Sequence, residues 1–205
     1  MSELFSIQLQ NRQQQGRDGV WLDLPTTTEQ VQAALRQIGI SSDNPQGLFI
    51  SGYFAEEEKR IAIPYNMVLA SNVDELNFLA SRLETLSTGE RTELNAALQN
   101  PKSGFENIGQ IIDFTENADY YVHLPDVHGP AQLGDYYLNR SGMVDMPEEW
   151  KGGIDTAQFG RYVAQQEQGA FTQYGYLVKS GDEWQKVHEG QPVPEEYRVT
   201  PQPPQ

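Results

Sequence analysis

Residues 118–150 read ADYYVHLPDVHGPAQLGDYYLNRSGMVDMPEEW, and the rest of the chain is organised around this stretch. It continues as IDTAQFGRYV over 154–163 and as GAFTQYGYL over 169–177. Between positions 113 and 167 the chain has ten acidic residues against three basic ones. No nucleophile stands beside a general base there, and no set of metal ligands has a diagnostic spacing. The charge of this stretch therefore indicates a functional surface rather than a catalytic pocket.

The same stretch alternates between strand and helix patterns. DYYVHL at 119–124 predicts a strand, and the spacing of Leu133, Tyr136 and Tyr137 predicts a helix after the Gly-Pro pair at 129–130. Three further elements are predicted along the chain: a helix that begins at Pro147, a helix over 156–165 and a strand over 170–178. Together these elements predict a mixed C-terminal domain of strands and helices.

The N-terminal part predicts a small sheet with one helix. Alternating apolar residues predict strands over 4–9 and 20–24. The run LFISGYF at 48–54 has apolar residues on both faces, which predicts a third strand at the centre of the sheet. A helix is predicted where apolar residues recur at positions i, i+3, i+4 and i+7, namely Val31, Ala34, Leu35 and Ile38. This part is therefore expected to be a strand–strand–helix–strand domain.

The middle of the chain predicts three helices. Ser71 and Asp74 resemble a capping box before a leucine-rich stripe. A second helix is predicted over 89–99, and a third begins near Gly104. The acidic residues of these helices fall outside the apolar stripes, so we expect them to be exposed: Asp74, Glu75, Glu84, Glu90, Glu93 and Glu106.

The sequence changes character beyond residue 178. Residues 180–190 predict a hairpin with the preceding strand, which leaves His188 in solvent, and the five prolines that begin at Pro192 predict an extended tail. The expected fold class is therefore α+β, with three small domains and a tail. Their predicted bounds are 1–66 for the first domain, 67–115 for the helical middle domain, 116–190 for the C-terminal α+β domain and 191–205 for the Pro-rich tail.

The composition restricts the partners. The 205 residues carry a formal net charge of −15 with a pI near 4.5, so nucleic acids and anionic membranes are repelled while basic protein surfaces are attracted. Cysteine is absent, which excludes disulfides and thiolate chemistry. The N-terminus shows no secretory pattern, and no run approaches about 18 apolar residues. A soluble cytoplasmic protein that contacts neither membrane nor nucleic acid directly is expected.

The common catalytic and metal-binding patterns are not matched. His123 and His128 flank a proline-containing segment and have no third ligand at zinc spacing. No phosphate-binding glycine loop, nucleophile elbow or EF-hand loop is present. Glu148 and Glu149 are adjacent at a helix start, whereas glycosidase chemistry needs two carboxylates across one cleft. We therefore expect no enzyme activity, no cofactor and no metal.

The remaining signal is the charge itself. Duplex DNA carries one negative charge per about 1.7 Å of its axis, so the net charge of this chain equals that of about 25 Å of duplex. A folded acidic protein can occupy a basic DNA-binding groove through the same release of counterions. An acidic protein with no such role has the same composition, so the charge by itself leaves both interpretations open.

Six sequence pieces in one order resemble the ArdA-type antirestriction proteins. They lie within about 5–178 and read GVWLDLP at 19–25, DELNFLA at 74–80, YVHLPDV at 121–127, LGDY at 133–136, ID followed by FGR within 154–161, and FTQYGY at 171–176. The resemblance rests on the shared order of all six pieces.

The resemblance implies an elongated, often dimeric DNA mimic of three small domains, carried by mobile genetic elements. Such proteins bind the methyltransferase core of type I restriction–modification enzymes at the place where the target DNA lies. The family's acidic motif corresponds here to 131–144 and implies a nearby subunit interface of a homodimer. Leu133, Gly134 and Asp135 match this motif, and Tyr136 and Tyr137, which follow them within it, are further interface candidates.

The expected mimicry surface combines acids of the middle and C-terminal parts. These acids are Asp74, Glu75, Glu84, Glu90, Glu93, Asp113, Glu116, Asp119, Asp126, Asp135, Asp145, Glu148, Glu149 and Asp155. The chain departs from the family pattern at 139–141, which read NRS, and at Thr156 and Gln158, where relatives carry more acids. These departures imply weaker mimicry or a different target enzyme.

Two alternatives to mimicry stay open at this point. One is an acidic adaptor for another basic DNA-binding protein. The other is a hydrolase that gathers Glu148, Glu149 or Asp155 in a pocket.

Overall fold

A computed structural model describes residues 4–14, 18–41, 46–56 and 61–201 of the chain. The chain folds into two compact units. The first unit consists of Met1–Ser87, Phe105–Glu116 and Gln185–Gln205, and the second consists of Thr88–Gly104 and Asn117–Trp184. The division into three consecutive domains stays a prediction.

A three-stranded antiparallel sheet forms the base of the first unit. Its strands are β1 Phe5–Asn11, β2 Val20–Leu24 and β3 Leu48–Phe54, in the order β2-β1-β3. The three predicted strands are therefore confirmed, but the expectation that 48–54 is the central strand is wrong, because β1 lies between the other two. Ile7 pairs with Leu22, and both side chains are buried on the inner face.

The helices begin and end where local capping chemistry allows. Their bounds are α1 Thr28–Gln37, α2 Tyr65–Ala70, α3 Val73–Thr85 and α5 Ile108–Phe114 in the first unit, with α4 Thr88–Gln99 in the second. Thr27 and Gln30 form a capping box at the start of α1. Val31, Ala34 and Leu35 are buried, as their spacing predicts.

Two predicted helix starts in the middle region are wrong. Asn72 caps α3 by accepting a hydrogen bond from the backbone N–H of Glu75, so the expected capping box of Ser71 and Asp74 does not form. Asn107 caps α5 in the same way, which moves its start from Gly104 to Ile108. An asparagine side chain satisfies the free N–H groups of a first turn as well as serine does, and the periodicity of apolar residues cannot distinguish them.

The C-terminal segment 185–201 packs into the first unit. Tyr197 stacks on Phe78 of α3 with ring centroids 4.5 Å apart, and Val199 is buried. His188 contacts Phe78 edge-on, with ring centroids 5.0 Å apart. The expectation of a hairpin at 180–190 and a solvated His188 is wrong, and the described part of the Pro-rich tail is held against the helices.

The second unit is a small sheet with helices. It contains β4 Tyr121–Leu124, α6 Pro130–Asp135, a π-helical turn Tyr136–Arg140, α7 Glu148–Lys151, α8 Thr156–Glu167, β5 Ala170–Thr172 and β6 Gly175–Lys179. The antiparallel order is β4-β6-β5. The predicted strand over 170–178 is in fact a hairpin of two strands, because Gly175 adopts a positive φ of 114° between them.

The α+β class is thus confirmed by two small antiparallel sheets and their helices. Among the described residues, no helix has the length and apolar character that crossing a membrane requires. Within the same residues, no three His, Asp or Glu side chains gather in a way that could hold a metal ion.

Candidate acidic surface

Seven of the fourteen expected surface acids are exposed. Glu116 is the last residue of its segment of the first unit, and the other six belong to the second: Asp119, Asp126, Asp145, Glu148, Glu149 and Asp155. Their exposure follows from position, because they lie in loops, at helix starts or on the polar side of short elements where no apolar neighbour covers them. Six of the expected surface acids of the second unit are therefore accessible to solvent.

Some exposed acids also have structural roles. Asp155 caps α8, since its Oδ1 accepts hydrogen bonds from the backbone N–H groups of Ala157 at 2.9 Å and Gln158 at 3.0 Å. A carboxylate at this position also favours the positive end of the helix dipole. The residue is nevertheless exposed, so capping and a surface role are compatible.

Asp135, Glu148 and Glu116 each lie in an ion pair. Asp135 lies 3.4 Å from the Arg140 guanidinium, Glu148 lies 2.6 Å from the Lys151 ammonium, and Glu116 pairs with Arg82. Exposed pairs of this kind contribute about 0–1 kcal/mol to stability. Their main consequence here is local neutralisation, which reduces the charge that these acids offer to a partner.

Asp126, Asp145 and Glu149 keep their charge available. Within the described parts of the chain, none of them forms an ion pair or a side-chain hydrogen bond. These three carboxylates, together with the exposed Asp119, form what we call the open acid set. This set is the part of the expected surface that a basic partner can reach without breaking an existing interaction.

Large apolar side chains are exposed in the same unit. Met143, Trp150 and Tyr162 are 75%, 65% and 60% exposed. Trp, Tyr and Met are enriched where protein interfaces bind most strongly. Trp150 follows directly after Glu149, so an apolar anchor and an open carboxylate are adjacent on α7.

Asp113 is wrong as a surface acid. Its side chain is fully buried in the first unit, where Oδ1 accepts from the N–H groups of Val187 at 3.1 Å and His188 at 2.5 Å. Its Oδ2 accepts from the N–H of Glu189 at 3.2 Å. The carboxylate therefore holds the C-terminal segment in place and is not available to a partner.

Asp74 has a similar structural role. Its Oδ1 accepts from the backbone N–H groups of Val199 at 2.8 Å and Thr200 at 2.7 Å. Glu75, Glu84 and Glu90 are half-buried as well, and Glu75 accepts a hydrogen bond from Ser71. The expectation that the middle-region acids are exposed is therefore wrong for these four.

Glu93 on α4 is also half-buried, and its charge is partly lost at neutral pH. Burial raises the pKa of Glu93 to about 7, and the nearby carboxylates of Glu90 and Asp119 contribute to this rise. Its Oε1 is buried with no hydrogen-bond partner among the described residues. A half-protonated, half-buried carboxyl is a poor substitute for a phosphate.

Replacing Glu93 with glutamine is expected to stabilise the second unit above pH 7. Because the folded-state pKa is raised from 4.5 to about 7, the folded protein binds the proton more tightly, and its stability falls as pH rises through that window. Glu93→Gln removes this loss of stability, which we expect to amount to about 2 kcal/mol, because solvent screening of the half-exposed side chain reduces the value that the full pKa rise implies.

Chemical unfolding of both proteins at pH 4.5 and pH 8 measures this difference, with hydrogen exchange in α4 as the local probe. Glu149→Gln is the matched control on an exposed carboxylate, and it should leave the free energy of unfolding unchanged at both pH values. If the stability of the parent protein and that of Glu93→Gln change equally between these pH values, the raised pKa of Glu93 is contradicted.

The family-motif residues have different environments. Leu133 is fully buried, and Gly134 is buried against α8. As interface residues these two are therefore wrong, because their side-chain positions are already covered within the unit. Asp135, Tyr136 and Tyr137 are partly exposed and remain interface candidates.

Helices α6 and α8 cross at van der Waals contact through two glycines. A Cβ at Gly134 would lie 1.9 Å from the carbonyl oxygen of Thr156, and a Cβ at Gly160 would lie 1.8 Å from that of Pro130. Only glycine permits this approach of two backbones. One helix crossing therefore requires the glycines of both the Leu-Gly and the Phe-Gly-Arg pieces of the sequence.

A carboxylate at the end of α8 connects the helices to the sheet. Glu167 accepts hydrogen bonds from the hydroxyls of Tyr137 at 2.5 Å and Tyr176 at 3.0 Å. Burial, with the adjacent carboxylate, holds the pKa of both tyrosines well above the usual value, so both hydroxyls stay protonated as donors. No local sequence pattern predicts this role of Glu167, because its partner Tyr137 lies thirty positions away.

The hydrolase alternative finds no support in the arrangement of its carboxylates. Glu148 is paired with Lys151, Asp155 caps α8, and Glu149 is exposed. None of the three is buried, whereas a general acid needs an environment that raises its pKa. His123 also has a structural partner, since its Nε2 lies 2.8 Å from the carbonyl oxygen of Tyr174.

Comparison with known proteins identifies one family. The model of the family described as Antirestriction protein (ArdA) matches residues 15–178, which is most of the 205-residue chain. The match ends one residue before the end of β6, so the packed segment 185–201 lies outside it. No curated protein matches the chain.

Proposed function

The chain belongs to the ArdA family of antirestriction proteins, and on this premise we propose that it inhibits type I restriction–modification enzymes by occupying their DNA-binding groove. The inhibitor acts in the cytoplasm, where it meets both the enzyme and unmodified incoming DNA. It has no catalytic role, and its effect is stoichiometric binding to the methyltransferase core. A homodimer encoded on a mobile element is the form that the family resemblance suggests.

One observation carries this proposal: the second unit exposes four carboxylates, and three of them, Asp126, Asp145 and Glu149, form no ion pair or side-chain hydrogen bond with any described residue. The open acid set of Asp119, Asp126, Asp145 and Glu149 lies within the matched region. A groove that binds duplex DNA carries Lys and Arg side chains at the phosphate positions. Carboxylates that reach these side chains gain affinity because bound counterions are released, as they are when DNA binds.

The exposed apolar residues support protein binding in particular. Trp150 adjoins Glu149, and Met143 lies two residues before Asp145. Binding by charge alone is weakened strongly by salt. An aromatic anchor inside an acidic rim adds a salt-independent contribution, so inhibition is expected to persist at ionic strengths that weaken a purely ionic complex.

Neutralising the open acid set together is expected to weaken inhibition strongly. The combined variant Asp119→Asn, Asp126→Asn, Asp145→Asn and Glu149→Gln removes four charges at about 0.5 kcal/mol each, which predicts about a 30-fold rise in the inhibitor concentration needed. Each single change should cost about threefold or less. The assay is ATP-dependent cleavage of unmodified plasmid DNA by a type I enzyme.

A matched control removes four charges from the first unit. Asp18→Asn, Glu29→Gln, Glu106→Gln and Glu196→Gln change exposed carboxylates, and their combination alters the net charge by the same amount. Inhibition by this control should stay within about twofold of the parent protein. Equal loss in both combined variants indicates a general charge effect and contradicts the proposed surface. Unimpaired cleavage by several type I enzymes at excess parent protein contradicts the function itself.

A further inference from the structure

Strand β2 forms an open edge of the first sheet. It pairs with β1 on one side, and no other described strand pairs with its far side. A groove of about 560 Å³ runs along this far side. One wall is the backbone around 19–25, and the other is a face of α1 that includes Ala33, Ala34 and Gln37.

The opposite edge of the same sheet is partly covered. Helix α2 packs against β3, and the Tyr65 hydroxyl donates a hydrogen bond to the carbonyl oxygen of Ser51 at 3.3 Å. Folded proteins cover or block sheet edges because an open edge pairs with another strand. In the first unit, a helix therefore contacts one edge strand, whereas the other edge strand borders a groove.

The groove has the form that an added strand requires. Along β2, Val20, Leu22 and Leu24 point to the core while Trp21 and Asp23 point outward. A strand paired with β2 alternates in the same way. Its inward side chains enter the space left by the small side chains of Ala33 and Ala34, and its outward side chains lie beside Trp21 and Asp23.

The charge around the groove favours a basic occupant. Asp23 lines it, and the exposed residues that adjoin its lining residues in sequence are two acids, Asp18 and Glu29, and one base, Arg36. The first unit as a whole has seventeen acidic residues against eight basic ones. A basic side chain opposite Asp23 forms a favourable cross-strand pair, whereas an acidic one is repelled.

We propose that the β2 edge binds an extended segment of a partner protein by strand addition, a segment in which apolar residues alternate with Lys or Arg. The backbone of the segment pairs with β2, its apolar residues fill the groove against α1, and its basic residues face Asp23. This binding site is independent of the proposed inhibition, because it uses none of the open acid set.

The test uses the full chain labelled with ¹⁵N and a capped peptide of about seven residues that alternates Val and Lys, a typical strand length. The expected result is saturable shifts of the amide signals over 19–25 and 30–37. A second peptide of the same composition, with its lysines in one block, cannot alternate faces. It should bind at least about fivefold more weakly.

Two variants alter the groove, and one serves as their control. Ala33→Arg places a long basic side chain in the groove from a half-exposed helix position and should weaken peptide binding by about tenfold or more. Asp23→Lys should weaken it by about fivefold and leaves the groove open, so it keeps the test informative if the first variant folds poorly. Glu196→Lys reverses an exposed charge elsewhere in the same unit and should change affinity by about twofold or less.

Three results overturn the proposal. The first is amide shifts that concentrate outside β2 and α1. The second is equal affinity for the alternating and blocked peptides, which indicates binding by net charge alone. The third is self-association of the chain in sedimentation that Ala33→Arg abolishes, because the edge then pairs with a second copy of the chain.

Discussion

Gly160→Ala is expected to unfold the second unit. The new Cβ would lie 1.8 Å from the carbonyl oxygen of Pro130 and 2.8 Å from the backbone nitrogen of Gly134, while real Cβ contacts under 3.0 Å are essentially never seen. Both neighbours are backbone atoms, so no side chain can rotate away. Helices α6 and α8 must therefore move apart, which breaks the packing of Leu133 in the core of this unit.

The free energy of unfolding of the second unit is expected to fall by about 4 kcal/mol or more, which is exceptional for the addition of one methyl group. Alanine is intrinsically better than glycine in a helix by about 1 kcal/mol, so propensity alone predicts the opposite sign. Gly134→Ala should behave in the same way, since its Cβ would lie 1.9 Å from the carbonyl oxygen of Thr156. The two substitutions affect one crossing, and their combined cost should be less than the sum.

Hydrogen exchange of amides in α8 and β6 measures this loss within the second unit, and near-ultraviolet circular dichroism follows its tyrosines. Gly152→Ala is the matched control, because Gly152 has a helical φ of −65° and no atom within 4 Å of an added Cβ. That variant should be as stable as the parent or slightly more so. Native protection in α8 of Gly160→Ala contradicts the described crossing.

Asp113→Ala is expected to release the C-terminal segment from the first unit. The substitution removes the acceptor for three backbone N–H groups, those of Val187, His188 and Glu189. A buried N–H without a partner costs about 1–3 kcal/mol. If the segment detaches, these N–H groups bind water instead. The stability lost is then no larger than the free energy with which the segment binds the first unit, and we expect it to be about 3 kcal/mol.

Asp113→Asn should reduce stability by about half as much, because the amide oxygen still accepts hydrogen bonds while the amide nitrogen cannot accept one. Hydrogen exchange at 187–189 is the direct measurement, and both variants should raise exchange rates there first. Asp18→Ala is the control on an exposed carboxylate of the same unit and should leave exchange unchanged. Parent-like protection at 187–189 in Asp113→Ala contradicts the anchoring role.

Local patterns were sufficient to predict most strands and helices. The alternation in β1 and β2 and the spacing of Val31, Ala34 and Leu35 depend only on which side of an element faces the core. These patterns involve neighbours in the sequence, so periodicity reports them directly. Helix starts were less predictable, as Asn72 and Asn107 show, because several residue types can cap a helix.

The candidate surface was only partly predictable. Net charge identified acids that are exposed, such as Asp126, Asp145 and Glu149, since a charged side chain without a partner stays in water. It could not exclude Asp113, whose three donors lie more than seventy positions away. Nor could it show that Glu93 is half-buried beside Glu90 and Asp119 and so loses part of its charge near neutral pH.

The sequence by itself therefore determined the α+β class, the acidic character and, through the order of six short pieces, the family. These properties are sums or local repeats, and they can be read without knowing which distant residues meet. The tertiary structure alone decided that Gly134 and Gly160 form one crossing, that Glu167 joins two tyrosines, and that Asp74 and Asp113 hold residues 185–201. Each of these features depends on contacts between residues that are apart in the sequence. At a close backbone crossing only glycine fits, and a buried carboxylate is retained only where donors surround it.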